Sequence, residues 1–179
     1  MDLLTSTSSL NLWQDLVKHA ENRCSILLKK ELEVYLVTLL SRYTNRPDTF
    51  KQVFAVAFLN ALRLEEKERK SSLQQLGDQC LLFTGLFPHA VKRKPVKISY
   101  FVGLGQSAYA AISSTANDLY GSLALQFIVL MDVLQSIRGE DDLLPLEAYE
   151  LWQEVGSERA LRALREYTKA IPIKHIKGW

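Results

Sequence analysis

The chain is poor in the residues that stabilise proteins lacking a large core. It has two cysteines, Cys24 and Cys80, which exclude a multi-disulfide framework and stand in no metal-ligand spacing. Five prolines and eight glycines among 179 residues exclude a collagen-like or low-complexity chain. The longest apolar run, residues 53–59, is far shorter than the roughly 18 residues that a membrane span needs. We therefore expect no transmembrane span and two buried cysteines.

A charge excess of one sign is also missing. Lys plus Arg number 22 and Asp plus Glu number 20, so the net charge is +2 and predicts no duplex nucleic acid as partner. The 47% hydrophobic content and the length are those of one globular domain over residues 1–179. The N-terminus lacks the basic flank and apolar segment of a secretory signal, which predicts a cytoplasmic location.

Apolar residues recur at intervals of three and four along most of the chain, whereas strand-like alternation is nearly absent. This spacing predicts an all-α domain, a bundle of about six to eight helices packed in antiparallel or crossed pairs. The first stripe fits one kinked helix or two helices, the second beginning at Ser25, and we favour two. Its positions before that break are Trp13, Leu16, Val17, Ala20 and Cys24.

Local signals predict where the other elements begin and end. Residues 1–9 are expected to be a flexible segment, and residues 171–179 an irregular tail. The mixed-sign run 65–70 predicts a solvated helix end or connection. Ser71 or Ser72, each followed three residues later by glutamine, predicts a capping box that starts the fourth helix.

Further helices are predicted around the prolines and serines of the second half. Residues 86–97 contain two prolines and are expected to form the main loop. The stripe at 119–137 predicts one helix, ended by Gly139. Pro145 suits the first turn of a helix, and Ser157 can cap the last one.

The sequence 103–108 fits the G-x-G-x-x-A pattern of dinucleotide-binding turns. Residues 96–102 before it resemble a strand, but no second strand and no ribose-binding acid follow at the required distance. We therefore interpret Gly103 and Gly105 as positions of close approach by a neighbouring helix or a ligand.

Residues that carry chemistry are not gathered in the sequence. The histidines His19, His89 and His175 stand far apart, and none follows a glutamate by three residues, which argues against a metal site. No serine lies in a nucleophile elbow. We assign no catalytic residue, metal or cofactor and favour a non-enzymatic protein, although an active site assembled in space stays open.

The most informative surface is expected between residues 85 and 109, where aromatic and basic residues alternate. Aromatic anchors and cations at one place are typical of a recognition surface for an acidic protein surface or a small anionic ligand. The alternative assigns Phe87, Phe101 and Tyr109 to the core. The candidate residues are Phe87, His89, Lys92, Arg93, Lys94, Tyr100, Gly103, Gly105 and Tyr109.

The middle third of the chain carries a resemblance. Residues 76–81 (Leu-Gly-Asp-Gln-Cys-Leu), residues 85–88 (Gly-Leu-Phe-Pro), and Tyr100-Phe101 with Ala108-Tyr109 resemble a pattern in small uncharacterised bacterial proteins. The resemblance implies a bacterial, cytosolic origin and places any shared site within residues 78–109.

Two functions follow as expectations. The first is a non-enzymatic regulatory or adaptor protein that binds another protein. The second is a helical carrier or sensor that holds a small apolar, anionic or haem-like ligand between helices. Self-association into a homo-oligomer is left open.

Overall fold

The structure is a computed structural model that describes residues 2–44, 53–137 and 143–170. These residues form ten helices and no strand, which confirms the all-α prediction and exceeds the predicted six to eight helices. The helices are α1 (Asp2–Cys24), α2 (Lys30–Thr44), α3 (Phe54–Leu62), α4 (Glu66–Leu86), α5 (Pro88–Lys92), α6 (Ile98–Ile112), α7 (Leu119–Leu125), α8 (Phe127–Gln135), α9 (Pro145–Val155) and α10 (Glu158–Tyr167).

The core is built around α4, which packs against α3, α6 and α8. Because neighbours contact it from several directions, α4 is buried continuously from Leu76 to Gly85. The largest fully buried side chains form one cluster across five helices, which makes this a single domain. They are Leu32, Leu36, Leu40, Leu73, Leu76, Leu81, Tyr109, Leu123, Phe127, Leu130, Met131 and Leu134.

Helices α9 and α10 form a hairpin that packs mainly on itself, with its own small cluster of Ala148, Ala160 and Leu164. Gly156 joins the two helices in the left-handed conformation, with φ of 71°. Because a glycine lacks Cβ, it adopts this conformation without steric cost.

Polar side chains fasten this hairpin to the bundle. Ser157 caps α10, as predicted, and its hydroxyl donates to the fully buried Asp132 of α8 at 2.6 Å. Arg159 Nη2 donates to Gln135 Oε1 at 2.7 Å, and Arg162 Nη1 donates to the carbonyl of Cys24. These bonds, rather than a broad apolar interface, dock α10 on α8 and on the end of α1.

The first stripe forms two helices, as favoured, but the second begins at Lys30 and not at Ser25. Ser25 has φ of 53° and ends α1. The buried Glu21 then accepts the backbone N–H of Leu28 at 2.9 Å, which holds the connection between the helices. A buried side chain four residues before the predicted cap therefore holds this boundary.

Two helix starts lie earlier than the sequence predicted. Helix α1 begins at Asp2, so residues 2–9, expected to be a flexible segment, are helical. Helix α4 begins at Glu66, so the charged run forms its exposed first turns, and Ser71 and Ser72 lie inside the helix. A helix already nucleated by core packing adds one hydrogen bond with each further residue, which extends it through polar sequence.

The stripe at 119–137 forms two helices instead of one. Gln126 has ψ of 13° and separates α7 from α8. The backbone hydrogen bonds from Gln126 to Ser122 and from Leu130 to Gln126, both 2.9 Å, carry the chain through this bend. The bend precedes Phe127, whose ring lies close to Gly105 of α6.

Other local predictions are confirmed or fall outside the described residues. Pro145 occupies the first turn of α9, and both cysteines are buried. Burial raises the pKa of Cys80 to about 12. In the described ranges, no helix combines the length and apolarity needed to cross a bilayer. The predictions made for Gly139, the tail 171–179 and His175 lie outside those ranges.

Candidate functional site

A cleft of about 490 Å³ lies between the segment 88–98 and helix α9. We call it the α5–α9 cleft. Its lining combines apolar side chains with acids and cations, a composition typical of binding sites. The apolar lining comprises Pro88, Val91, Pro95, Val96, Ile98, Leu143 and Leu151. The charged lining comprises Lys92, Lys94, Lys97 and Arg159 opposite Glu147, Glu150 and Glu154.

The wall formed by segment 88–98 owes its shape to short-range sequence features. Pro88 starts α5 because its fixed φ suits a first helical turn. Val91 is buried and anchors this five-residue helix on the core. Residues 92–97 are all exposed, so their cations project from the surface before α6 begins at Ile98. The predicted main loop is therefore a short helix followed by a basic connection.

Ion pairs connect the two walls of the cleft. Lys92 Nζ donates to Glu147 Oε1 at 2.7 Å, and Lys97 Nζ donates to Glu154 Oε1 at 2.6 Å. Ser99 Oγ also donates to Glu154, at 2.9 Å. The hydrogen bond from Lys92 lowers the pKa of Glu147 from its ordinary value. At neutral pH Glu147 is therefore an ionised partner of Lys92.

The structure brings only part of the predicted surface together. His89, Lys92 and Lys94 line the cleft, and Arg93 is exposed beside them. Tyr100 is 41% exposed on α6. These residues can contact a ligand.

The other predicted residues lie elsewhere. Tyr109 is fully buried, so its place among the surface residues is corrected, as its ring packs inside the bundle. Gly105 has the predicted close approach, since an added Cβ would lie 2.5 Å from the ring of Phe127. Gly103 does not have it, because nothing stands within 4 Å of such a Cβ.

Phe87 is half-buried and packs against Tyr43, with ring centroids 6.1 Å apart. It therefore belongs to the core margin, as the alternative interpretation held. Phe87→Ala is expected to lower the free energy of unfolding by about 2 kcal/mol through lost burial and a lost aromatic contact. Urea denaturation measures this loss. An unchanged urea midpoint would contradict the core assignment and favour a place for the Phe87 ring on the recognition surface.

Sequence reasoning missed the acids of the opposite wall. Glu147, Glu150 and Glu154 follow each other at three and four residues, so one face of α9 carries all three. This spacing was readable as an acidic helix face. Its position opposite the cations was not, because 55 residues separate Lys92 from Glu147.

A second polar cluster, also missed, lies inside the bundle. Asp78 of α4 is only 7% exposed, and its Oδ1 accepts from the hydroxyls of Tyr35 at 2.5 Å and Tyr109 at 2.7 Å. Arg42 Nη2 lies 3.7 Å from the other carboxylate oxygen. Burial raises the pKa of Asp78, while its tyrosine hydrogen bonds and Arg42 oppose the rise. Burial also raises the pKa values of Tyr35 and Tyr109, so both phenols stay protonated donors.

This cluster borders an open groove of about 580 Å³ along α2, to which Tyr35, Thr38, Arg42 and Leu119 contribute. Tyr35, which lines the groove, donates its hydroxyl to Asp78. The described contacts of Asp78 give it a structural role, since it connects α2, α4 and α6.

Metal binding and dinucleotide binding, neither of which the sequence favours, lack an arranged site in the part of the chain that the structure describes. No group of three or more His, Cys, Asp or Glu side chains is arranged to hold a metal ion there. The G-x-G-x-x-A residues lie within α6, so the strand and turn of a dinucleotide site are replaced by helix. His19 is exposed on α1.

Comparison with known proteins adds no family assignment. No family model, curated protein or solved structure matches the chain. The fold and the site therefore define a class only: an all-α single-domain protein with a mixed-charge surface cleft.

Proposed function

We propose that this protein is a non-enzymatic adaptor or regulatory protein that binds an acidic segment of a partner protein in the α5–α9 cleft. The observation that carries the proposal is the combination, in one cleft of about 490 Å³, of an apolar lining with a row of cations. A volume of this size accepts a few side chains of a partner. Apolar contacts would supply affinity and the cations orientation.

The arrangement of the cations favours a protein segment over a small anion. Lys92, Lys94 and Lys97 are exposed and spaced along a connection instead of converging on one enclosed point. Exposed charge contacts are worth little singly, about 1 kcal/mol or less each. Several such contacts together, with apolar burial, suit a partner segment long enough to reach along the row of cations. The bacterial and cytoplasmic setting, and self-association, stay part of the proposal.

The double variant that carries both Arg93→Ala and Lys94→Ala is expected to weaken binding of an acidic peptide about fivefold. The reason is that both cations are exposed at the rim and steer association, so the loss falls mainly on the association rate and its salt dependence. The probe is a fluorescein-labelled helical peptide with leucines and with glutamates at positions i, i+3 and i+7. Fluorescence anisotropy and stopped-flow mixing at two salt concentrations measure both quantities.

The matched control is Lys67→Ala with Arg69→Ala, which removes the same charge from the exposed first turns of α4. It should leave peptide binding within about twofold of the wild type. Equal losses in both variants would show unspecific attraction and contradict the proposal. Native mass spectrometry and absorption spectroscopy of protein from its own host test the alternative, because a retained small molecule would favour the carrier or sensor.

A further inference from the structure

Helix α9 carries an acidic face and already contacts the basic wall of the α5–α9 cleft. Glu147 and Glu154 lie seven residues apart, which is about 10.5 Å along a helix. They bind Lys92 at one end of the wall and Lys97 at the other, at 2.7 and 2.6 Å. The proposed partner offers the same chemistry to the same cations.

The attachment of α9 to the bundle is shallow. Of its eleven residues only Ala148 is buried, and Ala148 faces the cluster shared with α10 and not the main core. Leu151 and Val155 pack partly against the main core, whereas Leu144 and Leu146 are 62% and 67% exposed. Ion pairs between lysines that are more than half exposed and glutamates that are 35% and 22% exposed therefore provide much of the contact between α9 and the basic wall.

We infer that Glu147 and Glu154 of α9 are built-in competitors for the basic wall, which a partner helix with glutamates seven residues apart displaces from Lys92 and Lys97. The inference rests on the proposed function and adds its regulation and the spacing of the partner's acids. Both occupants cannot pair with Lys92 and Lys97 at once, so the pairs with Glu147 and Glu154 lower the affinity for the partner. The hydrogen bond from Ser157 to Asp132 holds α10 on the bundle. Because α10 follows α9 directly, α9 stays beside the cleft when its glutamates are displaced.

The test compares the double variant, which carries both Glu147→Gln and Glu154→Gln, with the wild type. Both proteins are titrated against the same labelled glutamate peptide. Loss of both pairs is expected to tighten peptide binding about fivefold. Without peptide, hydrogen exchange of the α9 amides should accelerate in this variant, because the helix has lost its polar attachment. A peptide with glutamine in place of glutamate should bind neither protein measurably.

The control variant is Glu68→Gln with Glu166→Gln, which removes the same charge at exposed positions outside the cleft. It should change affinity less than twofold. An equal gain in both variants, or no gain with Glu147→Gln and Glu154→Gln, overturns the competition while leaving the cleft as the binding site. Faster amide hydrogen exchange of α9 must accompany the tighter peptide binding. Unchanged hydrogen exchange of α9 in this variant also overturns the competition. Absence of peptide binding to every variant removes the proposed function and the competition together.

Discussion

Gly105→Leu is expected to lower the free energy of unfolding by about 3 kcal/mol, the largest loss that we predict for a single substitution. A Cβ at this position would stand 2.5 Å from the ring of Phe127 and 2.9 Å from Cβ of Cys80. Both neighbours are fully buried and have no space to withdraw, so the helices α4, α6 and α8 must separate. Chemical denaturation measures the loss.

Gly103→Ala is the matched control, on the same helix one half-turn away. Nothing lies within 4 Å of its added Cβ, so the substitution should stabilise the protein by up to about 1 kcal/mol through helix propensity. Equal effects at the two glycines would contradict the close contact at Gly105.

Asp78→Ala is expected to cost about 2–3 kcal/mol of stability. Its removal leaves the hydroxyl of the fully buried Tyr109 without its acceptor, and a buried unsatisfied donor carries its full desolvation cost. Asp78→Asn keeps a carbonyl oxygen in the same place and should cost about 1 kcal/mol. Arg42→Ala removes only a pair at 3.7 Å from a half-exposed side chain, with a loss of about 1 kcal/mol or less. A loss from Arg42→Ala as large as that from Asp78→Ala would contradict this order.

The pH dependence of the same variants follows from the raised pKa of Asp78. Because the folded state holds the proton more tightly than the unfolded state, the stability that this group contributes is fully present below its unfolded pKa of about 4. It falls as pH rises through the folded pKa and is constant above it. The difference in unfolding free energy between wild type and Asp78→Asn should therefore shrink from pH 4 towards neutrality. A difference that grows with pH would mean that the tyrosine hydrogen bonds outweigh burial.

Much of the helical architecture was predictable because helices are local. The periodic stripes marked nearly every helix, and Pro145 and Ser157 marked two starts correctly, whereas Pro88, expected in a loop, starts α5. Errors occurred where a buried side chain a few residues away holds a boundary, as Glu21 does at the end of α1. They also occurred where helix propagation continues past a capping signal, as it does in α4.

Only the basic wall of the candidate site was predictable from the sequence. The cations of residues 92–97 were recognisable as a cluster because they are neighbours in sequence. Their partners on α9, and the tyrosines around Asp78, were not, since separations of 31 to 57 residues leave no spacing to read. Tyr109 shows the same limit, because its aromatic character suits either a surface anchor or the core in which it lies.

By itself the sequence determined the class of fold and the basic segment, because apolar periodicity, proline and capping residues act within a few positions of the chain. Tertiary structure alone decided which glycine meets a neighbouring ring, which carboxylate is buried between tyrosines, and which helix faces the cations. Those outcomes depend on how helices distant in sequence pack, since burial and pairing are properties of surfaces that exist only after the chain has folded.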